Sequence, residues 1–283
     1  MRTLAMASVA ALLTLSVGCR RTGPGEDTGD TDTDTDSDTD TDTDSDTTSF
    51  DCDEGPPDTD WWGTIPADLA TTTPPEVDAG IGALLAAAPA PGEYADFETP
   101  IVIDHAVVSH AEYAPEGAVA RNIWLQDKSG AIRTYHNFND NENPRIKIPQ
   151  DIAGGLPPGS VVSFTVSSMT NYYGELEILD LDNFVKHEET SLVYVVDATD
   201  GTELTFDENR AEVARIWAEI AEVREPCGSY SCYTVETHGH EYVLRIKKSY
   251  FQGDCIPIAA PVAQFSDEVQ FNISDFDAVG DPF

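Results

Sequence analysis

Three polar residues near the C-terminal end, Glu236, His238 and His240, are spaced two apart in the segment CYTVETHGHEYVLRI. Side chains two residues apart share one face of a β-strand, and carboxylate and imidazole groups together can bind a metal or move a proton. However, His238 and Gly239 also stand where a two-residue hairpin turn is expected, which would put both histidines at an exposed tip. The segment is therefore a candidate metal or acid–base site, with an ordinary solvated turn as the alternative.

Four aromatic residues, Trp124, Tyr135, Tyr172 and Tyr173, are candidates for contact with a ring-shaped ligand. Aromatic faces stack on nucleobases and on sugar rings alike. The alternative is that Trp124 belongs to a hydrophobic core and that the tyrosines only decorate loops.

The usual catalytic signatures do not occur in the sequence: GxSxG, HExxH, a phosphate-binding loop and a dinucleotide fingerprint are all missing. Asp180, Asp182 and Asn183, together with residues 140–143, offer oxygen ligands for Ca²⁺, although solvated loops carry the same residues. The sequence therefore predicts a protein that is not an enzyme and has no bound cofactor, with Ca²⁺ or Zn²⁺ left open.

The residues from about 94 to 181 have the pattern of five β-strands. A short helix over 81–88 ends at Pro89 and Pro91. Strands are predicted, from alternation and turn residues, over 94–109, 123–127, 131–136, 160–167 and 175–181. Five strands with an interruption between the third and the fourth are the element order of an OB-fold barrel.

The segments AAPAPG, IWLQDKSGAI, PPGSVVSFTV and YYGELEI, within residues 80–186, resemble the OB-like domains of secreted bacterial proteins. Some of those domains accompany extracellular nucleases and phosphatases. The shared motifs are turn glycines and strand alternation, so the resemblance implies a fold more than an activity. In OB folds, ligands usually lie across the second and third strands, where Trp124 and Tyr135 are predicted.

The second half of the sequence resembles the first half weakly, with similar motifs in the same order. Aligning Gly130 with Gly239 places Trp124 over Tyr233, and aligning Glu175 with Glu268 keeps the same order of strands. Residues 206–225 conflict with this repeat, because their apolar residues have helical spacing. We expect a short helix near 207–214, followed by a strand over 215–223.

The predicted fold is therefore mainly β, with tandem OB-like five-stranded barrels and short helices. The predicted domains are a signal peptide over 1–18, a disordered Asp/Thr-rich spacer over 19–60, and OB-like domains over 61–190 and 191–283.

Five cysteines fit an oxidising compartment. If Cys19 carries lipid, the remaining four can pair in three ways. A local bridge between Cys227 and Cys232 is favoured, which leaves Cys52 to tether the spacer to Cys255. A Cys227–Cys255 pair and a zinc site are the alternatives.

Residues 1–18 have an early arginine and an apolar run too short to span a bilayer, as in a secretory signal. The run ends at LSVGC, which resembles the lipobox of bacterial lipoproteins, although Ser16 stands where that family usually has leucine. The resemblance implies that Cys19 is lipidated and, because Arg20 is not aspartate, that the protein is anchored to the outer membrane or cell surface. Ordinary signal-peptidase cleavage is the alternative.

The chain is strongly acidic, with a formal net charge of −37, and 16 of its 52 acidic residues lie between Glu26 and Asp60. Alternating acidic and hydroxyl residues have nothing to bury, which predicts an extended spacer. Because nucleic-acid binding is driven largely by Lys and Arg, the charge disfavours nucleic acid as a partner.

Two functions remain open at this point. The first is a non-enzymatic surface lipoprotein whose OB-like domains bind a protein or glycan, or act as a structural module. The second is an accessory domain of an extracellular hydrolase, or a metal-dependent hydrolase of the nuclease or phosphatase type.

Overall fold

The structure is a computed structural model that describes residues 52–56, 60–114, 118–135, 146, 148, 152, 155–265, 268–273 and 276–283. The signal peptide, Cys19 and most of the predicted spacer lie outside these residues. Among the described residues, no helix has the length and apolarity needed to cross a membrane. Residues 49–283 form one compact unit.

The described chain is mainly β, with few short helices. Its strands, in chain order, are β1 (Ala70–Thr71), β2 (Tyr94–Ala114), β3 (Ala118–Asp127), β4 (Gly130–Thr134), β5 (Ser160–Tyr172), β6 (Glu175–Thr190), β7 (Val193–Asp197), β8 (Val213–Val223), β9 (Ser231–Thr237), β10 (His240–Ile246), β11 (Cys255–Phe265) and β12 (Glu268–Asn272). The α-helices are α1 (Ile81–Ala86) and α2 (Phe206–Asn209), and Cys52–Glu54 and Phe276–Ala278 are 3₁₀ turns.

Barrel 1 is closed in the order β2-β3-β4-β6-β5, with β4 and β6 parallel. The long β2 pairs with β3 and with β5, and bulges along it let it bend around the barrel. Helix α1 covers one opening and buries Ile81 and Leu84 completely. The Asp127 carboxylate starts this helix by accepting the N–H groups of Ala79 and Ile81 at 2.9 and 3.0 Å.

Barrel 2 repeats this strand order. Five strands of a seven-stranded sheet, β8-β11-β12-β10-β9, close into a ring because β8 also pairs with β9, and β10 and β12 are parallel. β7 adds to β8, and β1 adds to β7, both in parallel. The tandem OB-like architecture predicted from the sequence is confirmed at the level of fold class.

The sequence alignment of the two halves was right at the last hairpin and wrong by one residue at the first. β4 pairs Arg133 with Glu177, and β10 pairs Val243 with Gln270, so Glu175 and Glu268 are equivalent as predicted. The β3–β4 turn, however, joins Asp127 to Gly130, whereas the β9–β10 turn joins Thr237 to His240. Gly130 therefore follows the β3–β4 turn, whereas Gly239 lies inside the β9–β10 turn. Aligning these two glycines shifts the register of the hairpins by one residue.

Residues 206–225 form the short helix α2 and then β8, as expected from the repeat. Thr205 caps α2, since its hydroxyl accepts the N–H of Glu208 at 3.4 Å. Residues 213–218 are buried on both faces of β8, so their apolar residues do not alternate as in a half-exposed strand, and the sequence pattern resembles that of a helix. Ile216 faces the barrel 2 core, whereas Arg215 lies under the Trp62 ring at 3.7 Å from its centroid.

The N-terminal segment of the described chain covers that outer face. Cys52, which the sequence placed in the spacer, is 7 % exposed in a 3₁₀ turn and is bonded to Cys255. Gly55 lies so close to Trp217 that an added Cβ would be 2.5 Å from the indole nitrogen. The favoured cysteine pairing is present, since Cys227 and Cys232 form the second disulfide.

The two disulfides close loops of very different size, with sequence separations of 203 and 5 residues. Because loop-closure entropy grows with the logarithm of loop length, we expect Cys52→Ser with Cys255→Ser to cost about 3 kcal/mol more unfolding free energy than Cys227→Ser with Cys232→Ser. Urea denaturation of both double variants measures this difference. Equal losses, or a larger loss for the local pair, would contradict it.

Candidate functional site: the cleft between the barrels

A cleft of about 940 Å³ lies between the two barrels. Its barrel 1 wall comes from β4, β5 and β6, and its barrel 2 wall from β9 to β12 and the chain that joins β8 to β9. Ligand sites of proteins commonly have volumes of about 300 to 1,000 Å³ and lie between domains. The third and fifth strands of both barrels line the cleft, whereas the sequence pointed to the second and third.

A buried ionic group forms part of the barrel 1 wall. The parallel pairing of β4 with β6 sets Arg133 beside Glu177, and Glu175 shares its face because it is two residues away. Nη2 of Arg133 donates to Oε2 of Glu175 at 2.8 Å and to Oε1 of Glu177. The three side chains are 9, 8 and 4 % exposed, in the order Arg133, Glu175 and Glu177.

One guanidinium cannot neutralise two carboxylates, so a proton is favoured on one of them. Burial raises the pKa of Glu175 to about 7, although attraction to Arg133 opposes the shift and repulsion from Glu177 adds to it. Burial also raises the pKa of Glu177, against the pull of Arg133. Near neutral pH the group can therefore donate as well as accept hydrogen bonds at the cleft.

The barrel 2 wall combines cationic and amide groups. Arg224 contacts Glu268 at 3.1 Å and donates from Nε to Oγ1 of Thr234 at 2.8 Å. The Arg245 guanidinium lies 5.4 Å from the centre of the Tyr230 ring. Gln270 holds the register position that Glu177 has in barrel 1, so the equivalent strands give different chemistry on the two walls.

The predicted aromatic residues separate into three groups. Tyr135 and Tyr172 line the cleft and are 40 and 51 % exposed. Tyr173 is 65 % exposed at the β5–β6 turn, beside Tyr172 but not in the lining. Trp124 is only 2 % exposed and packs against Ala131 and Ala211, so its proposed role in ligand stacking is corrected to one in the core.

The residues predicted as a metal site are not brought together. Glu236 is exposed on β9, and His238 adopts a left-handed conformation in the hairpin turn, with φ of 47°. The His238 ring lies 3.4 Å from an Asp53 oxygen and 3.1 Å from the carbonyl of Thr199. Among the described residues, Glu236, His238 and His240 are not a group with ligand atoms close enough to share an ion, which corrects that prediction.

The calcium hypothesis falls partly on residues 140–143, which lie outside the described chain. Its remaining members lie on β6, where the Asp182 carboxylate accepts the N–H of Asn183 at 2.8 Å and Asn183 has a φ of 57°. The geometry here is that of a strand irregularity, with the side chain of Asn183 also directed to Thr165 at 3.2 Å.

Sequence reasoning missed Arg133, Glu175 and Glu177. In the run ELEILDL, alternating acidic and apolar residues are typical of a strand with one solvated face, and that pattern was the only signal available. The opposing barrel buries this face, which no local pattern can indicate.

No known protein family matches this chain, and no curated protein does. Solved structures similar to it include a murine DNA-binding protein bound to double-stranded DNA, with 9 % identity and a TM-score of 0.31 over 64 % of this chain and 96 % of that one. The tetrameric p202 HIN2 domain has 10 % identity and a TM-score of 0.29 over 68 and 95 %. The Ifi202 HINa domain in complex with 20-base-pair double-stranded DNA has 11 % identity and a TM-score of 0.27 over 66 and 97 %.

The expectation that disfavoured nucleic acid as a partner is corrected, because domains described as bound to double-stranded DNA are among these structures. The physical reason is that net charge describes the whole chain, whereas binding depends on the charge at the contact surface. Here the lining of one cleft holds three arginines together with four glutamates, a local mixture that the acidic total does not show. These weak likenesses do not assign a ligand to this chain.

The raised pKa of Glu175 predicts a pH-dependent stability. Between about pH 4.5 and 7 the folded state binds more protons than the unfolded state, so the unfolding free energy falls as the pH rises through this window. Glu175→Gln, which keeps the shape of the protonated acid, should remove part of this slope in urea titrations from pH 5 to 8. Glu212 supplies another part, because burial also raises its pKa to about 7.

The exposed Glu241 on β10 provides the matched control, and Glu241→Gln should keep the wild-type slope. If Glu175→Gln also kept the full slope, a proton on Glu175 near neutral pH would be ruled out.

Proposed function

We propose that this chain is a non-enzymatic binding module that takes a glycan in the cleft between its barrels. The observation that carries the proposal is the combination, in one cleft of about 940 Å³, of exposed tyrosine rings with buried carboxylate and guanidinium groups. Tyr135 and Tyr172 supply the rings, and Arg133 with Glu175 supplies the polar groups.

A sugar ring presents two kinds of surface, and the cleft offers a partner for each. Its C–H face packs on an aromatic side chain, whereas its hydroxyl edges need donors and acceptors in fixed positions. Arg133 is held by two carboxylates, so its remaining N–H groups keep their direction. On the opposite wall, Gln264 and Gln270 add amide groups that both donate and accept.

The mixed charge of the walls also favours a neutral or weakly charged ligand. Glu268 faces the same space as Arg224 and Arg245, so neither sign of charge is alone there. Glu175 and Glu177 both bind Arg133, which supports a hydrogen-bonding role for them.

We further propose that the folded part is exported and anchored by lipid on Cys19 to the bacterial outer membrane or cell surface. The sequence LSVGC after an apolar run supports the anchor, and the acidic run that precedes Cys52 is suited to hold the barrels away from the bilayer. A module held outside the cell in this way would meet envelope glycans at high local concentration.

Binding is tested by titrating the protein with soluble peptidoglycan fragments and with outer-membrane polysaccharide. We expect saturable binding to one of these, and we expect Tyr172→Ala to weaken it about ten-fold, because loss of stacking on one ring costs on the order of 1–3 kcal/mol. Tyr94→Ala is the matched control, since Tyr94 is 73 % exposed and lies outside the cleft lining.

A 20-base-pair DNA duplex is included in the same titrations at low and physiological salt. Tight duplex binding at physiological salt, lost in Tyr172→Ala and without any glycan binding, would replace the glycan proposal with a nucleic-acid one. Unchanged glycan binding in Tyr172→Ala would move the site away from the cleft.

The anchor is tested separately by growing cells with a labelled fatty acid. The wild-type chain should take up the label and sediment with membranes, whereas Cys19→Ser should do neither, because the thiol is the acylated atom. Absence of label on the wild type would leave ordinary signal-peptidase cleavage as the explanation of residues 1–18.

A further inference from the structure

We propose that Asp104, His105 and His187 of barrel 1 form a binding site for Zn²⁺ or a similar transition-metal ion. The ligand atoms of these three side chains lie within 4.8 Å of one another. Among the residues that the structure describes, they are the one such group of histidine, cysteine and carboxylate side chains.

A β-bulge builds the first half of the site. Adjacent residues in a regular strand point to opposite faces, so Asp104 and His105 could not normally share a site. The pairing of β2 with β5 shifts register between Ile103 and Ala106, and His105 takes a left-handed conformation with φ of 62°. The irregularity turns both side chains to the same side, where Nδ1 of His105 lies 2.8 Å from Oδ1 of Asp104.

The late part of β6 supplies the second half. The His187 ring stacks on the His105 ring with centroids 4.1 Å apart. Glu189 follows two residues later, and its Oε1 lies 3.6 Å from Nε2 of His105, so a second carboxylate borders the group. A left-handed non-glycine residue costs backbone strain, and such strain concentrates at functional sites.

Ser163 on β5 holds the ligands together. Its hydroxyl donates to Oδ1 of Asp104 at 2.9 Å and lies 2.7 Å from Nε2 of His187, and it accepts the backbone N–H of His105 at 2.9 Å.

The donor set fits zinc better than calcium or magnesium. Zn²⁺ binds imidazole nitrogen and carboxylate oxygen at about 2.0–2.1 Å, which places ligands of a tetrahedral site about 3.3 Å apart. Ca²⁺ and Mg²⁺ instead prefer six or more oxygen ligands. Small side-chain rotations would close the present group onto an ion, with Glu189 or water in the fourth position. Asp104 and His105 are 67 and 43 % exposed, so an ion can reach them from solvent.

The site is separate from the cleft between the barrels. Asp104, His105 and His187 are not in the cleft lining, and His187 lies ten residues beyond Glu177 along the irregular strand β6. Zinc binding and ligand binding in the cleft can therefore be measured without interference.

The experiment is calorimetric titration of the EDTA-treated full chain with ZnCl₂ and, separately, with CaCl₂. We expect one zinc ion per chain to bind tightly, and His187→Ala to weaken that binding at least ten-fold. His105→Asn should do the same, and asparagine is chosen because it tolerates the left-handed conformation. His240→Ala, which changes a partly exposed histidine of barrel 2, is the matched control and should bind as the wild type does.

Circular dichroism of each variant separates lost binding from lost folding. The CaCl₂ arm identifies weak binding to the acidic run 26–60, which should be equal in all variants. Zinc binding that persists in both folded His105→Asn and His187→Ala would overturn the proposal, as would a wild type that binds zinc no better than calcium.

Discussion

Parallel pairing of the third strand with the fifth closes each barrel, and the cleft depends on it. In barrel 1 this pairing sets Arg133 beside Glu177, and in barrel 2 it sets Val243 beside Gln270. Among the described strands that close each barrel, this is the one parallel pairing, so these two strands are joined only after the fourth strand has been placed between them in the chain. Both barrels present this junction to the same space. The binding surface is therefore a product of how the barrels close.

Strand β6 carries residues of two polar groups in barrel 1. Arg133 is buried between two carboxylates, and its removal would leave both of them without their hydrogen-bonded cation. β6 links this group to the opposite end of barrel 1, where Ser163 gathers Asp104, His105 and His187. One long, irregular strand thus contributes to two chemically different regions, an ionic group facing the second barrel and a histidine-rich group facing solvent.

Acidic composition and local charge have separate consequences in this molecule. Much of the negative charge lies in the run 26–60 and on exposed strand faces, where it favours solubility and repulsion between copies. Arginines are few, yet several have structural neighbours that fix them in place: Arg215 lies between Trp62 and Asp197, and Arg224 contacts Glu268. The total charge of the chain therefore does not describe the charge at any one surface.

The sequence by itself determined the strand order, the helix α1 and the favoured cysteine pairing, because these follow from alternation, turn residues and cysteine spacing. It also resolved 206–225 once the repeat was weighed against the helical spacing of Ile216 and Trp217. Only the tertiary structure decided which faces are buried. β8 is covered on its outer side by the chain near Trp62, and Glu175 is covered by the opposite barrel. Local patterns record the polarity of a residue, whereas its burial and its pKa depend on segments far away in the chain, and so does the gathering of His105 with His187.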